Sequence, residues 1–338
     1  MFMLNPLRYF VEVARCGSVR GASERLHVAA SAISRQIMIF EEDAGAPLFE
    51  RYSRGMVMTA AGEVYFRYAQ GVLSEGENTQ LEIDALKGMK RGHIRIWSIE
   101  GIVGGPLSDS ILGFRRKYPK ISFNVKSSDT RSVMEAVRDS EADIGICFQS
   151  SPVAGVRIAL RIPNPLHAIC TRQHEIARCG SIALKDVAQH PTAIPDRTFG
   201  IRQVLDAACH VHQIQLDVAL ESNSVEALRA FARSGSCLTI LPWLACKTDV
   251  LAKRVAAIPI DDPMLSASSV DICIREERVL PPAVSEFLNE ITTGEDFRPP
   301  EMNANAKGAR QGVTEPGGSI RKNRSRKTRA VNAKSRNR

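Results

Sequence analysis

Apolar residues recur at helical spacing through the first part of the chain and give way to alternating strand and helix patterns after residue 92. Leu7, Phe10, Val11 and Ala14 predict a first helix, opened by Asn5 as N-cap with Pro6 at the first helical position and closed by Gly17. Ser18 is placed to cap a second helix holding Ala22 and Leu26. After a short His27–Ala30 connection, Ile33, Ile37 and Phe40 mark a third helix by their four-then-three spacing. Two short helices joined by a tight turn, the second exposing small polar and basic residues, make a helix-turn-helix. Pro47-Leu48-Phe49 and Met56-Val57-Met58 then flank the basic turn Arg51-Tyr52-Ser53-Arg54-Gly55, which reads as a two-stranded wing. Thr59 can cap a long helix from Ala60 to Lys87, with Val64, Tyr65, Tyr68, Val72, Leu81 and Leu86 as its apolar positions. Gly71 and Gly76 weaken it locally, and residues 87–92 read as a hinge.

From His93 the pattern predicts strands at Ile94–Trp97, Ile121–Val125, Asp143–Phe148, Val156–Arg161, Leu166–Cys170, Asp217–Glu221, Leu238–Leu241 and Val270–Arg275. Helices fall between them near Leu107–Lys117, Ser132–Asp139, Gly200–His212, Val225–Arg233 and Pro281–Ile291. Alternation of this kind over about 200 residues argues an α/β sandwich with largely parallel sheets, in two lobes. Beyond Thr293 large apolar residues nearly vanish, which reads as a disordered tail. The expected organisation is an α+β multidomain chain: a winged helix-turn-helix over 3–60, a linker helix and hinge over 61–90, a two-lobed α/β domain over 91–292 and a basic tail over 293–338.

Composition changes this picture in one place. The 338 residues are 44% hydrophobic and 24% charged, enough for several buried cores. The net charge of +8 suggests a nucleic-acid partner, but residues 301–338 hold 11 Lys+Arg against 2 Asp+Glu, while the first 300 hold 34 against 35. The basic character therefore sits in the tail, and the body is nearly neutral. No apolar run is long enough to cross a bilayer, so no membrane partner is expected. Asn5, Pro6, Arg8, Glu12 and Arg15 come too early for a signal peptide, and the expected location is the cytoplasm. Eight scattered cysteines without a CxxC pair read as reduced thiols.

The third helix should bury Ile33, Ile37 and Phe40 and leave Ser31, Ser34, Arg35 and Met38 outward. Serine bonds to base edges or phosphates, and arginine makes a bidentate contact to guanine. Arg51 and Arg54 in the wing reach for phosphates or a minor groove, and Ser18 and Arg20 open the second helix beside them. Catalysis finds little support. There is no GxGxxG, GxSxG or HExxH, and no cofactor is implied. Cys209-His210-Val211-His212 invites a metal reading, but two-residue spacing on a helix turns the histidines about 200° apart.

Leu7-Arg8-Tyr9-Phe10, Gly17-Ser18, Ala22-Ser23-Glu24-Arg25-Leu26-His27-Val28, Ala32-Ile33-Ser34-Arg35-Gln36-Ile37, Pro47-Leu48-Phe49-Glu50-Arg51 and Thr59-Ala60-Ala61-Gly62 stand in order and spacing. Together they resemble the N-terminal domain of LysR-type transcriptional regulators. The likeness continues more loosely through the long helix, Gly92-His93-Ile94-Arg95-Ile96 and Ala142-Asp143-Ile144-Gly145-Ile146, and covers roughly residues 3–292. Ala29 and Ala30 stand where the family has Ser or Thr, then Gln, so Ser31, Ser34 and Arg35 must carry more of the readout. Gly21 inside the second helix is also unusual and requires a close backbone approach there.

The resemblance implies a double-stranded DNA operator, a linker helix that pairs between subunits in a homodimer or homotetramer, and RNA polymerase as a candidate partner. It also implies that the C-terminal half is an effector-binding domain with the fold of periplasmic binding proteins. Ligands in such lobes sit at the carboxyl ends of strands, near helix N-termini. The residues at those places are Ser98, Glu100 and Gly101; Ser128, Asp129 and Thr130; Phe148 and Gln149; Thr198 and Phe199; and Asn223. Two acidic side chains, Glu100 and Asp129, near anion-favouring helix termini suggest an amino-acid-like effector with both an amine and a carboxylate. The alternative is an α/β enzyme with an attached DNA-binding domain, which turnover of a bound ligand would reveal. A purely architectural DNA protein leaves the large α/β half without a purpose.

Overall fold

A computed structural model describes residues 4–53, 55–86, 92–276 and 278–298. Arg54 of the wing, most of the expected hinge and the chain from residue 299 onward lie outside them.

Helices α1 (Asn5–Cys16), α2 (Val19–Leu26) and α3 (Ala30–Ala44) pack with a hairpin of β1 (Phe49–Tyr52) and β2 (Gly55–Met58). Asn5 is not the N-cap: Leu4 holds that position without a side-chain bond, and Pro6 sits one residue further in. Proline is tolerated there because its missing N–H is still one of the four orphan donors of a helix start. Ser18 does cap α2, accepting the Gly21 amide at 3.1 Å. Ala29 precedes α3 with no side-chain cap. The centre of this unit is aromatic, with the Phe10 ring 4.9 Å from Tyr65, 5.0 Å from Phe49 and 6.3 Å from Phe40.

Gly62 of the last motif block and Gly21 of α2 have steric reasons. A Cβ at Gly62 would lie 2.0 Å from the Leu48 carbonyl oxygen, so only glycine lets the next helix start against the wing. A Cβ at Gly21 would meet Ser18 Oγ at 3.0 Å and Cys16 Cβ at 3.2 Å, so the close approach there is made by side chains, the capping serine among them, and not by backbone.

Helix α4 (Ala60–Leu86) follows, with Thr59 Oγ1 accepting the Gly62 amide at 3.0 Å. Tyr65 packs into the aromatic centre, whereas Val64 and Tyr68 are 60% and 59% exposed. The helix is also tied to the α/β part. Ser74 Oγ accepts from Arg95 at 3.1 Å and Arg278 at 2.8 Å, and Gln70 donates to Glu141 at 2.9 Å.

The α/β part runs through β3 (Gly92–Ser98), β4 (Ile121–Ser127), β5 (Ile144–Phe148) and β6 (Val156–Pro163). It continues with β7 (Leu166–Cys170), β8 (Thr192–Pro195), β9 (Val218–Ser222), β10 (Leu238–Pro242), β11 (Ala256–Pro259) and β12 (Ser269–Arg275). Its helices are α5 (Glu100–Ile102), α6 (Ser108–Lys117), α7 (Thr130–Arg138), α8 (Leu184–Val187), α9 (Gly200–Val211), α10 (Val225–Ser234), α11 (Trp243–Leu251), α12 (Pro263–Ser266) and α13 (Pro282–Thr293). Lobe I has strand order β4-β3-β5-β12-β6 and lobe II β11-β7-β10-β8-β9. The sheets are mixed rather than largely parallel. β3, β4 and β5 are parallel, and so are β8, β9 and β10, but β12 runs antiparallel to both β5 and β6, and β7 to both β10 and β11. The chain crosses between lobes at Asn164-Pro165 and again between β11 and β12, and a strand entered from the other lobe has no βαβ crossover to make it parallel.

Each lobe has its own core, around Ile94, Ile96, Phe114, Ile146 and Phe287 in lobe I and Leu205, Leu228, Leu238 and Ile240 in lobe II. The fold does not end at Thr293. Phe297 is buried, Ser110 donates to Asp296 at 2.7 Å, and Lys247 donates to the carbonyls of Glu295 and Asp296. Apolar sparsity there hid one anchoring phenylalanine.

Candidate functional site

The outward face of α3 carries Ser31, Ser34, Arg35 and Met38. Ser31 and Arg35 are exposed, Ser34 is half-buried, and Met38 is 52% exposed. Ile33 and Ile37 anchor the opposite face, so packing fixes which residues point away. Arg35 enters no salt bridge among the described residues, whereas Arg20 pairs with Glu24 at 3.2 Å and Arg25 with Glu12 at 3.0 Å. Arg51 is exposed on β1 of the wing, which is held by the Met56 amide donating to Gly17 O at 2.7 Å. Ser18, expected at DNA, has its hydroxyl oxygen engaged in capping α2.

Between the lobes lies a cavity of about 230 Å³. Nine of the eleven cleft residues expected from the sequence line it: Glu100, Gly101, Ser128, Asp129, Thr130, Phe148, Thr198, Phe199 and Asn223. The parallel strands explain the convergence, because β3, β4, β5, β8, β9 and β10 all end there, and all but β5 hand the chain to helices. Two expectations fail. Ser98 is fully buried at the end of β3, its hydroxyl donating to the Ile99 carbonyl at 3.0 Å. Gln149 takes a left-handed conformation, φ 46°, and lines a neighbouring surface pocket with Arg131 and Gln203.

The polar groups of the cleft are unequally engaged. Asp129 caps α7, accepting from Ser132 N at 3.0 Å and Ser132 Oγ at 2.6 Å, and these bonds hold its carboxyl below the ordinary carboxylate value. Glu100 reaches across to lobe II, where its Oε1 accepts from Ser224 Oγ at 3.2 Å and Val225 N at 3.1 Å. Thr130 Oγ1 bonds the backbone of Phe148, and Thr198 Oγ1 donates to Asp196 at 2.5 Å. By contrast α9 begins at Phe199-Gly200 with no side-chain cap. None of the lining side chains is Lys, Arg or His.

Sequence reasoning missed Asn164, which lines the cavity from the first lobe crossing, and the apolar walls Ile99, Ile201, Pro242 and Ala245. The signal for Asn164 was its place between Pro163 and Pro165, a polar residue where two consecutive strands must break. His212, from the cysteine–histidine cluster, pairs with Asp262 at 2.8 Å. No group of three His, Cys, Asp or Glu suited to a metal occurs among the described residues. No helix among them is long and apolar enough to cross a membrane.

Comparison with known proteins agrees with this geometry. A family model for the bacterial regulatory helix-turn-helix protein of the lysR family matches residues 4–63, and one for the LysR substrate binding domain matches residues 87–295. A probable RuBisCO transcriptional regulator of Cyanidioschyzon merolae is 30% identical over 235 residues, covering 68% of this chain and 77% of the relative. The HTH-type transcriptional activator CmpR of Synechocystis is 26% identical over 261 residues, covering 76% and 84%. In fold, the chain is similar to a full-length OxyR variant from Pseudomonas aeruginosa, with TM-score 0.70 and 20% identity over 88% of this chain and 97% of that one. With both halves matched in order and the helix-turn-helix and two-lobed cleft in place, the chain belongs to the LysR family and is a DNA-binding transcriptional regulator with an effector-binding domain.

Proposed function

We propose that α3 reads a double-stranded operator with Ser31, Ser34 and Arg35, and that a small anionic molecule in the interlobe cleft sets the regulator's activity. Regulators of this family bind DNA and small-molecule effectors and form oligomers. The observation that carries the cleft reading is that nine residues from both lobes converge on one cavity where α9 starts uncapped. Unsatisfied helix amides with a positive dipole end favour an anion. A ligand touching both lobes shifts their relative population of geometries, and through α4 the spacing of the DNA-reading helices.

The effector need not carry an amine. Glu100 Oε1 and both Asp129 oxygens already accept protein donors, so the acidic pair that argued for an amino-acid-like ligand is largely engaged. Val64 and Tyr68, exposed on α4, support pairing of this helix with a second copy in a homodimer. Operator binding puts the site of action in the cytoplasm. The test is selection of bound sequences from a random duplex pool, followed by thermal shift of the full chain with a panel of small carboxylates. An enriched two-half-site sequence and at least one stabilising carboxylate are expected. Absence of an enriched sequence overturns the readout assignment, and absence of any shift overturns the cleft assignment.

A further inference from the structure

Among the donors that line the cleft, one is buried and has no partner. Asn164 is fully buried in the first crossing between the lobes. Its backbone amide donates to Ser268 O at 2.8 Å, and its Oδ1 accepts the Leu244 amide at 3.0 Å. That second bond fixes the carboxamide, turning Oδ1 toward the start of α11. The Nδ2 group is left without a hydrogen-bond partner among the described residues, on a residue that lines the cavity. A buried N–H group left unpaired is costly, and native structures retain one chiefly where something else completes it.

The surroundings narrow what that something is. Nδ2 donates only, so its complement is an acceptor. Asp129 and Glu100 Oε1 are engaged elsewhere, and Ile99, Phe148, Phe199 and Ile201 supply apolar lining. The α7 and α10 starts are capped by Asp129 and by Ser224 with Glu100, while the first amides of α9 are not. Ser127, Ser128 and Asn223 also line the cleft, but as exposed or half-buried side chains, so among the described residues Asn164 is its one fully buried donor without a partner, and no lining cation favours a second full negative charge. About 230 Å³ exceeds the roughly 150 Å³ that holds a benzene molecule, so the cavity has room for one small ligand.

We infer that Asn164 is the specificity-determining donor of the cleft, completed by a neutral oxygen acceptor, a hydroxyl or a carbonyl, that the effector carries in addition to its carboxylate. This rests on the reading of the cleft as a carboxylate site. A site built to hydrogen-bond a substrate oxygen discriminates strongly against the analogue that lacks it, because the buried group is then left unpaired.

The test uses the full chain and matched acids: pentanoate with 4-hydroxypentanoate and 4-oxopentanoate, and benzoate with 3-hydroxybenzoate and 4-hydroxybenzoate, measured by calorimetry. At least one oxygen-bearing acid is expected to bind about tenfold or more tighter than its plain partner. In Asn164→Ala that ratio should fall to near one while the plain acid keeps its affinity within about threefold, the pattern of a double-mutant cycle. Should Asn164→Ala lose its folded melting transition, Asn164→Asp keeps the acceptor toward Leu244 and replaces the donor, and the same collapse of the ratio is expected. If none of these acids binds, the carboxylate reading of the cleft fails and this inference with it. If plain and oxygen-bearing acids bind equally, or the preference survives both substitutions, the cleft reading stands and the assignment to Asn164 is overturned.

Discussion

Glu100 of lobe I and Val225 of lobe II are joined across the cleft, the glutamate Oε1 accepting the valine amide at 3.1 Å. With Ser224 donating to the same oxygen, a carboxylate from one lobe caps a helix of the other. Such caps and helix-end charges contribute about 0.5–2 kcal/mol. Glu100→Ala should destabilise the folded chain by about that amount, and Glu100→Gln by less, since it keeps the acceptor and loses only the charge. Denaturant unfolding checks this, and identical midpoints for wild type and Glu100→Ala would mean the contact holds nothing together.

Readout by Arg35 can be separated from phosphate contact. It is exposed, enters no salt bridge among the described residues, and stands beside Ser31 and Ser34 on α3. Arg35→Ala should weaken operator binding by about 1–3 kcal/mol relative to random duplex if the guanidinium meets a guanine. An equal loss on every sequence would instead assign it to the backbone, and no loss on either would remove it from the interface.

The helical periods around Phe10, Ile33 and Ile37, the strand-end positions of Glu100 and Ser128 and the place of Thr198 before a helix could be read from local pattern alone. Strand direction could not, because nothing in Val270–Arg275 says that the chain enters that strand from the other lobe. Thr192–Pro195 is four residues bounded by prolines, and Trp243–Leu251 is apolar on most sides, so neither shows a usable period. The Glu100–Val225 bond joins residues 125 apart, and the lone Nδ2 of Asn164 is defined only by what packs around it. These are tertiary facts, and they decide which polar groups of the cleft remain free for a ligand.

The uncapped start of α3 leaves room for stabilisation. Ala29 has φ −56° and ψ 131°, extended enough for a capping side chain, and offers none. Ala29→Ser should stabilise the helix-turn-helix by about 0.5–2 kcal/mol. Denaturant unfolding followed by a probe in that unit measures it, and an unmoved midpoint would show that the first amides of α3 are already satisfied.

Asp143 makes the tie between α4 and lobe I pH-dependent. Its side chain is 4% exposed and takes bonds from Arg95 Nη2 at 2.8 Å, Arg95 Nε at 3.2 Å and Arg278 Nη1 at 3.1 Å. Burial pushes this carboxyl up, but the bonds and charge of Arg95, with the charge of Arg278, outweigh burial and hold it below its ordinary value. A depressed carboxylate binds fewer protons folded than unfolded, so its contribution is present above the unfolded value of about 3.9 and is lost as pH falls through the folded value. Urea unfolding should therefore show stability falling below about pH 4. Asp143→Asn should cost about 3–5 kcal/mol at pH 7 by leaving two largely buried arginines without their anion, and should flatten the acid limb. Parallel pH profiles for the two proteins would assign the acid sensitivity elsewhere.

The basic tail offers the last separation, between affinity and specificity. Arg321, Lys322, Arg324, Arg326, Lys327 and Arg329 form a dense cationic stretch with almost no apolar residues, outside the described residues. Contacts from such a stretch to phosphates add affinity through counterion release without reading sequence, each adding about 0.9 to the salt slope on duplex DNA. Removing residues 301–338 should weaken operator and random duplex by similar factors and flatten the salt dependence of both. Operator preference should survive, because Ser31, Ser34 and Arg35 remain in place on α3. An unchanged salt slope would show that the tail does not touch DNA, and loss of preference would show that sequence is read by the tail rather than by α3.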